Sequence, residues 1–143
     1  MNLPDTGSDI LISTDSHKLD LELVYHFLKD SYWAKGRSRN DVEKTIEHSC
    51  CFGIYYKNDQ IGFARVVTDY VTFSYLMDVF IIKNYRGLGY GKKLVEYVLN
   101  YRDLSNIEKW LLSTSDAHGL YKQFGFTRLQ SPEKLMELIP GKI

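Results

Sequence analysis

The amino-acid sequence predicts a mixed α/β fold, and three observations carry that expectation. Apolar residues recur at helical spacing in two stretches, 19–28 and 94–99. Three runs, 51–56, 60–67 and 71–82, are rich in aromatic and β-branched residues and have strand character. A glycine-rich turn joins the last of these runs to the second helical stretch. With 143 residues, 44% of them hydrophobic, and no repeat, low-complexity tract or linker, the chain is expected to form a single domain over 1–143.

The elements follow in order. The short apolar run 10–13 suits a first strand, and 19–28 is a helix by the positions of Leu19, Leu21, Leu23, Val24, Phe27 and Leu28. The segment SYWAKGRSR interrupts the periodicity, and Arg39 or Asn40 precedes a second helix through Val42, Ile46 and His48. The runs 51–56 and 60–67 flank Lys57-Asn58-Asp59, which is turn chemistry, so they form a hairpin. The run 71–82 is a central strand, followed by an amphipathic helix within 89–101 whose apolar face is Leu94, Val95, Val98 and Leu99. A further strand is expected over 110–113. Next comes a helix carrying Ala117, Leu120 and Tyr121, capped by Thr114 or Ser115 and ended by Gly125. A last strand is expected at 126–129 and a short helix at 133–138.

Composition narrows the partners. Equal numbers of basic and acidic residues give a formal net charge of zero, so no global attraction to nucleic acid or to an anionic membrane is expected. The opening MNLPDTGSDI lacks a basic segment followed by an apolar one, and no run approaches the roughly 18 apolar residues of a membrane span. Cys50 and Cys51 are adjacent, unsuited to a structural disulfide or to metal-ligand spacing, and read as reduced thiols. A cytoplasmic protein without a metal is the expectation. The eleven tyrosines and seven phenylalanines hint at a pocket lining, although core packing accounts for most of them.

The chemistry concentrates at 79–92. Glycines between a strand and a helix let backbone N–H groups approach an anion while the helix directs its positive end at the same point. The dinucleotide pattern G-x-G-x-x-G fails because Lys92 takes its last position, and the nucleoside-triphosphate loop fails at Arg86 and Lys93. The spacing Arg86-x-x-Gly89-x-Gly91 resembles the diphosphate loop of the GCN5-related N-acetyltransferases (GNAT). Downstream, Leu120-Tyr121-Lys122-Gln123-Phe124-Gly125-Phe126 is similar to that family's L-Y-x-x-x-G-F motif. The phrases SYWAKGRS, GFARVVTDY and DAHGLY look like a bacterial subgroup of the same family.

The resemblance implies a mixed, twisted sheet, splayed at its centre, with helices on both faces. It further implies acetyl-CoA as co-substrate. The backbone of Val79, Phe80 and Ile81 would meet the pantetheine arm, while Arg86, Gly87, Leu88, Gly89, Tyr90, Gly91 and Lys92 would hold the diphosphate. Lys83 stands where the family often has proline, and Thr114 where it often has asparagine, so Thr114 takes that residue's place against the coenzyme. Tyr121 is implied as the acid that protonates the departing thiolate; a phenol, with a pKa of about 10, keeps its proton at neutral pH. The alternative reading of Tyr121 is a core aromatic on a helix face. Edge-strand pairing into a homodimer is common in the family.

Amine acetylation by direct attack needs an oxyanion donor and a route for the amine's proton. A backbone N–H of Val79 or Phe80 suits the first. For the second, Asp78 interrupts an apolar strand and is a candidate base, or else a structural carboxylate bonded to nearby N–H groups. The family often has its carboxylate one residue earlier, where Met77 stands; strand alternation would turn Met77 and Asp78 to opposite faces. His118 lies three residues before Tyr121 and either relays a proton or, with Asp116, organises the helix start. The acceptor, a small-molecule or peptide amine, is expected at Tyr32, Trp33 and Arg37, with Arg37 suited to a carboxylate; otherwise this is a solvated loop with one buried tryptophan. The competing function is a non-catalytic acyl-CoA-binding or regulatory module.

Overall fold

A computed structural model describes residues 9–141; most of the opening segment MNLPDTGSDI, on which the expectation about a targeting segment fell, lies outside them. The described chain divides into two compact units, one reaching Ser113 and the other running from Thr114. The first unit holds a five-stranded sheet in the order β1-β2-β3-β4-β5. Its strands are β1 (Ile10–Ser13), β2 (Cys50–Tyr56), β3 (Asp59–Thr68), β4 (Ser74–Ile81) and β5 (Trp110–Leu112), and its helices are α1 (Leu21–Lys29), α2 (Arg39–Glu47) and α3 (Tyr90–Leu99). The first three strand pairings are antiparallel and the β4–β5 pairing is parallel, so the sheet is mixed.

Local chemistry explains most of these bounds. Asp20 and Ser38 accept the N–H groups of Leu23 and Asp41 and so start α1 and α2; the cap of α2 is Ser38, one residue ahead of the expected position. Lys57 and Asn58 both have positive φ, 48° and 75°, the backbone of a tight hairpin turn between β2 and β3. β4 starts later than the apolar run suggests because Asp69 Oδ1 accepts from the N–H groups of Val71, Thr72 and Phe73 and winds 69–73 into a turn. That carboxyl is accordingly held well below the usual carboxylate range, first by the Thr72 hydroxyl and then by these amides.

Period-two alternation distributes the sheet between two cores. Cys51 and Phe63 join Val24, Leu28, Ala34 and Val42 of the α1 and α2 region. Phe52, the neighbour of Cys51, turns to the other face and meets the rings of Tyr97 and Tyr101 at the end of α3. Helices therefore cover both faces of the sheet.

In the second unit, α4 spans His118–Lys122, with the Ala117 N–H given to Thr114 Oγ1 just ahead of it. Two expectations fail here. Residues 126–129 form no strand, because the Phe126 N–H bonds back to the Tyr121 carbonyl and closes the end of α4. Residues 133–138 form only a 3-10 turn at Pro132–Lys134; Met136 and Leu138 are exposed, and so short a helix has no buried face to hold it. No helix among the described residues is long and apolar enough to cross a membrane.

Candidate active site

β4 carries the local irregularity around which the site is built. Phe80 pairs with Phe63 and Met77 with Arg65, so Asp78 and Val79 together oppose Ala64 alone, which is a β-bulge. Asp78 adopts a left-handed conformation, φ 56°, to make it. Aspartate tolerates that region better than most residues, and its side chain is anchored here. The bulge also explains why alternation misleads: Met77 and Asp78 both reach the guanidinium of Arg65, Met77 through its Sδ and Asp78 through Oδ2.

The Asp78 carboxylate is fully enclosed, with 0% of the side chain exposed. Oδ1 accepts from Trp33 Nε1 at 2.8 Å. Oδ2 accepts from Arg37 Nη1 at 2.7 Å and from Arg65 Nε at 2.8 Å. Arg65 also donates through Nη1 to Ser49 Oγ. Trp33 and Arg37, expected at the acceptor loop, thus converge on Asp78, while Tyr32 touches Trp33 edge to face and remains more exposed. Arg65 has no place among the expected site residues. Its signal was a lone charge inside the apolar run of β3, facing a second lone charge in β4.

An aromatic row leads from this cluster to the glycine loop. Phe27 stacks on Phe80 with ring centroids 3.8 Å apart, and the Arg86 guanidinium carbon lies 5.8 Å from the Phe27 centroid. Arg86 Nε donates to the Ile81 carbonyl at 2.8 Å and ties the loop to the end of β4. Gly87 and Gly89 have φ of 77° and 86°, and Gly89 is the residue before α3, with no side chain capping that helix. The first N–H groups of a helix have no intrahelical acceptor, so this turn presents donors to an anion. Its first turn contains no acid but does contain Lys92 and Lys93.

β5 pairs with β4 only at Ser74, Tyr75 and Leu76. From residue 77 to 81 the β5 side of β4 has no strand partner among the described residues, β5 being the short last strand of the sheet order. Val79, Phe80 and Ile81 lie in that segment, and a 3-10 turn at Lys83–Tyr85 separates them from the loop.

In the second unit the aromatic–glycine motif has a clear local meaning. The Gly125 N–H bonds to the Lys122 carbonyl and the Phe126 N–H to the Tyr121 carbonyl, with Gly125 at φ 96°. That is a Schellman cap, completed by the ring contact of Tyr121 with Phe126 at 5.9 Å. Tyr121 is buried; His118 is the first residue of α4.

Cys50 and Cys51 are free and buried. Burial pushes the Cys51 thiol up to about 12, against the opposing influence of Arg65, and raises that of Cys50. Neither is a nucleophile in this setting. The clefts on the first unit include two of unequal size. The larger, about 890 Å³, lies between β1 and α3 and includes none of the four residues of the Asp78 cluster. The smaller, about 470 Å³, is walled by Arg37 and Arg65 and belongs to the site. Among the described residues no group of His, Cys, Asp and Glu gathers that could hold a metal ion.

Residues 21–126 match the acetyltransferase (GNAT) family, and the chain belongs to it. A provisionally assigned GNAT acetyltransferase from Xanthomonas campestris pv. campestris shares 44% sequence identity and superposes with a TM-score of 0.88, over 92% of this chain and 94% of that one. A provisionally named acetyltransferase of Gibberella zeae is 28% identical over 138 residues, 81% of this chain and 77% of its own length. A chain from Clostridium acetobutylicum, assigned as an acetyltransferase and crystallised with acetyl-CoA, shares the fold at a TM-score of 0.65 and 18% identity, over 91% and 96% of the two chains.

Proposed function

We propose that the chain is an acetyl-CoA-dependent N-acetyltransferase that passes the acetyl group directly to the amine of a small molecule or peptide. One juxtaposition carries this reading: the β4 edge left unpaired at 77–81 is followed, after a single 3-10 turn at Lys83–Tyr85, by a loop with left-handed Gly87 and Gly89 at the start of α3. An arm with amide groups suits such an edge, and a diphosphate suits the helix start. Lys92 and Lys93 beside the positive end of a helix are unfavourable by themselves, and a bound diphosphate reverses the sign of that interaction. The family match runs across both units, which supports treating 1–143 as one acetyltransferase domain.

When bound, acetyl-CoA supplies the thioester carbonyl that the amine attacks. The residues of the chain divide the remaining work. Gly87, Leu88, Gly89, Tyr90, Gly91 and Lys92 hold the diphosphate, with Arg86 fixing the loop to β4. A backbone N–H of Val79 or Phe80 donates to the carbonyl oxygen as negative charge develops on it. As the carbon–nitrogen bond forms and the carbon–sulfur bond breaks, Tyr121 gives its phenolic proton to the sulfur and recovers one from water. Thr114 keeps the coenzyme role implied by its place in the motif.

Asp78 is better suited to positioning than to proton abstraction. Its oxygens are already engaged by three donors, and an ammonium would have to displace one of them before transferring a proton. The amine therefore loses its proton to water. The same saturated carboxylate is the one observation favouring the alternative, a module that binds acyl-CoA without turnover. Buried, free thiols accord with a reducing, cytoplasmic setting.

Release of free thiol from acetyl-CoA in the presence of an amine panel tests the reading. Amine-dependent release is expected, falling about 100-fold in Tyr121→Phe at unchanged acetyl-CoA affinity. Protein that binds acetyl-CoA yet releases no thiol with any amine would move the assignment to the binding module.

A further inference from the structure

Two guanidinium groups close on a single carboxylate at Asp78, and the charge does not balance. Asp78 is wholly enclosed and only 7% of the Arg65 side chain is exposed, so one positive charge is left over in a largely desolvated cluster. An uncompensated charge there is costly unless a counter-ion reaches it. The access lies on the Arg37 side, where 23% of the side chain is exposed and the guanidinium has Asp78 as its one acceptor among the described residues.

That side opens into the cleft of about 470 Å³, a size that suits a small ligand. Arg37, Lys44 and Arg65 line it, with His48, against one acid, Asp41. Lys44 and Asp41 make no ion pair with each other, and Lys44 has none with any described residue. The cleft shares no residue with the glycine loop at 86–92. Asp78, which both guanidiniums touch, immediately precedes Val79 and Phe80 on the open strand edge.

We infer that the acceptor is an amine bearing an anionic group, a carboxylate or a phosphate, which docks on Arg37 and Lys44 with Arg65 behind them. The inference rests on the transferase reading above. Planar guanidinium and ammonium donors together recognise either oxyanion through charge-assisted hydrogen bonds. Trp33 and Arg37 are locked by Asp78, so the anion site is organised by the same carboxylate that shapes the bulge.

Matched acceptors test this with the full chain and acetyl-CoA: glycine against glycinamide, β-alanine against β-alaninamide, and 2-aminoethyl phosphate against 2-aminoethanol. The anionic member of a pair should have a kcat/KM, taken per unprotonated amine, higher by about tenfold or more. The preferred pair tells carboxylate from phosphate. Lys44→Gln, at an exposed position of α2, should raise KM for that member several-fold and narrow the ratio without changing acetyl-CoA affinity. Equal or better use of the neutral members overturns the inference. Should no member turn over, titration of N-acetylglycine and 2-acetamidoethyl phosphate decides it. Saturable binding weakened by Lys44→Gln supports the anion site, and no binding of either overturns it. Failure to bind acetyl-CoA overturns the transferase reading instead, and the anion titration still judges the cleft.

Discussion

Arg65 and Asp78 meet across the β3–β4 bulge through an Nε to Oδ2 hydrogen bond of 2.8 Å, inside a cluster closed to solvent on the Asp78 side. The pair joins two strands at the one place where their register slips. It also carries Trp33 and Arg37, so a backbone irregularity, a buried ion pair and the acceptor loop form one unit.

Asp78→Asn keeps the shape and removes the charge. Two guanidiniums are then left without a carboxylate, and a loss of about 3 kcal/mol is expected by denaturant unfolding. Among molecules that fold, acceptor KM should rise because Trp33 and Arg37 are released. The rise of kcat/KM with pH should be kept, tracking deprotonation of the acceptor's own amine; loss of an acid-side limb present in the wild type would make Asp78 the base after all.

The glycines of the loop separate conformation from space. An added Cβ at Gly89 meets nothing within 4 Å, yet its φ of 86° strains any L-residue. Gly89→Ala should cost about 1 kcal/mol of stability and weaken acetyl-CoA binding. Gly91 has ordinary helical torsions and a Cβ there would lie 3.8 Å from Ile81 Cγ1, so Gly91→Ala should be neutral or stabilising in thermal unfolding. Equal losses at both positions would contradict a conformational origin.

Cys51 ties stability to alkaline pH. Its thiol ionises near 9.0 when unfolded, but burial raises it to about 12 in the folded chain. Its contribution is therefore full below about pH 9 and declines as pH rises toward 12, by no more than about 1.4 kcal/mol per pH unit. Cys51→Ala lacks this term, so its stability deficit against the wild type should shrink above pH 9; a constant deficit would contradict the assignment.

What the sequence made legible was local. Lys57-Asn58 marked the hairpin, the glycines after β4 marked the loop, and Tyr121 to Phe126 marked a helix end, which the structure explains as a Schellman cap. The Asp78 cluster was not legible as a whole. Trp33, Arg37, Arg65 and Asp78 come from the loop before α2 and from two strands, and nothing local to Asp78 signals a left-handed bulge, since no glycine stands there. The isolated charges of Arg65 and Asp78 in apolar strands were the available clue. Their pairing depends on the strand register, which the bulge shifts. The strand expected at 126–129 failed for a related reason: the amide of Phe126 was already committed to the helix cap.

Calorimetric titration of the chain with acetyl-CoA, alongside Gly89→Val, tests the central claim most directly. Saturable binding by the wild type, lost or strongly weakened when a β-branched residue is forced into the left-handed position before α3, is the predicted result. No binding by a folded wild type, or binding that Gly89→Val leaves unchanged, would contradict the placement of the coenzyme at this loop.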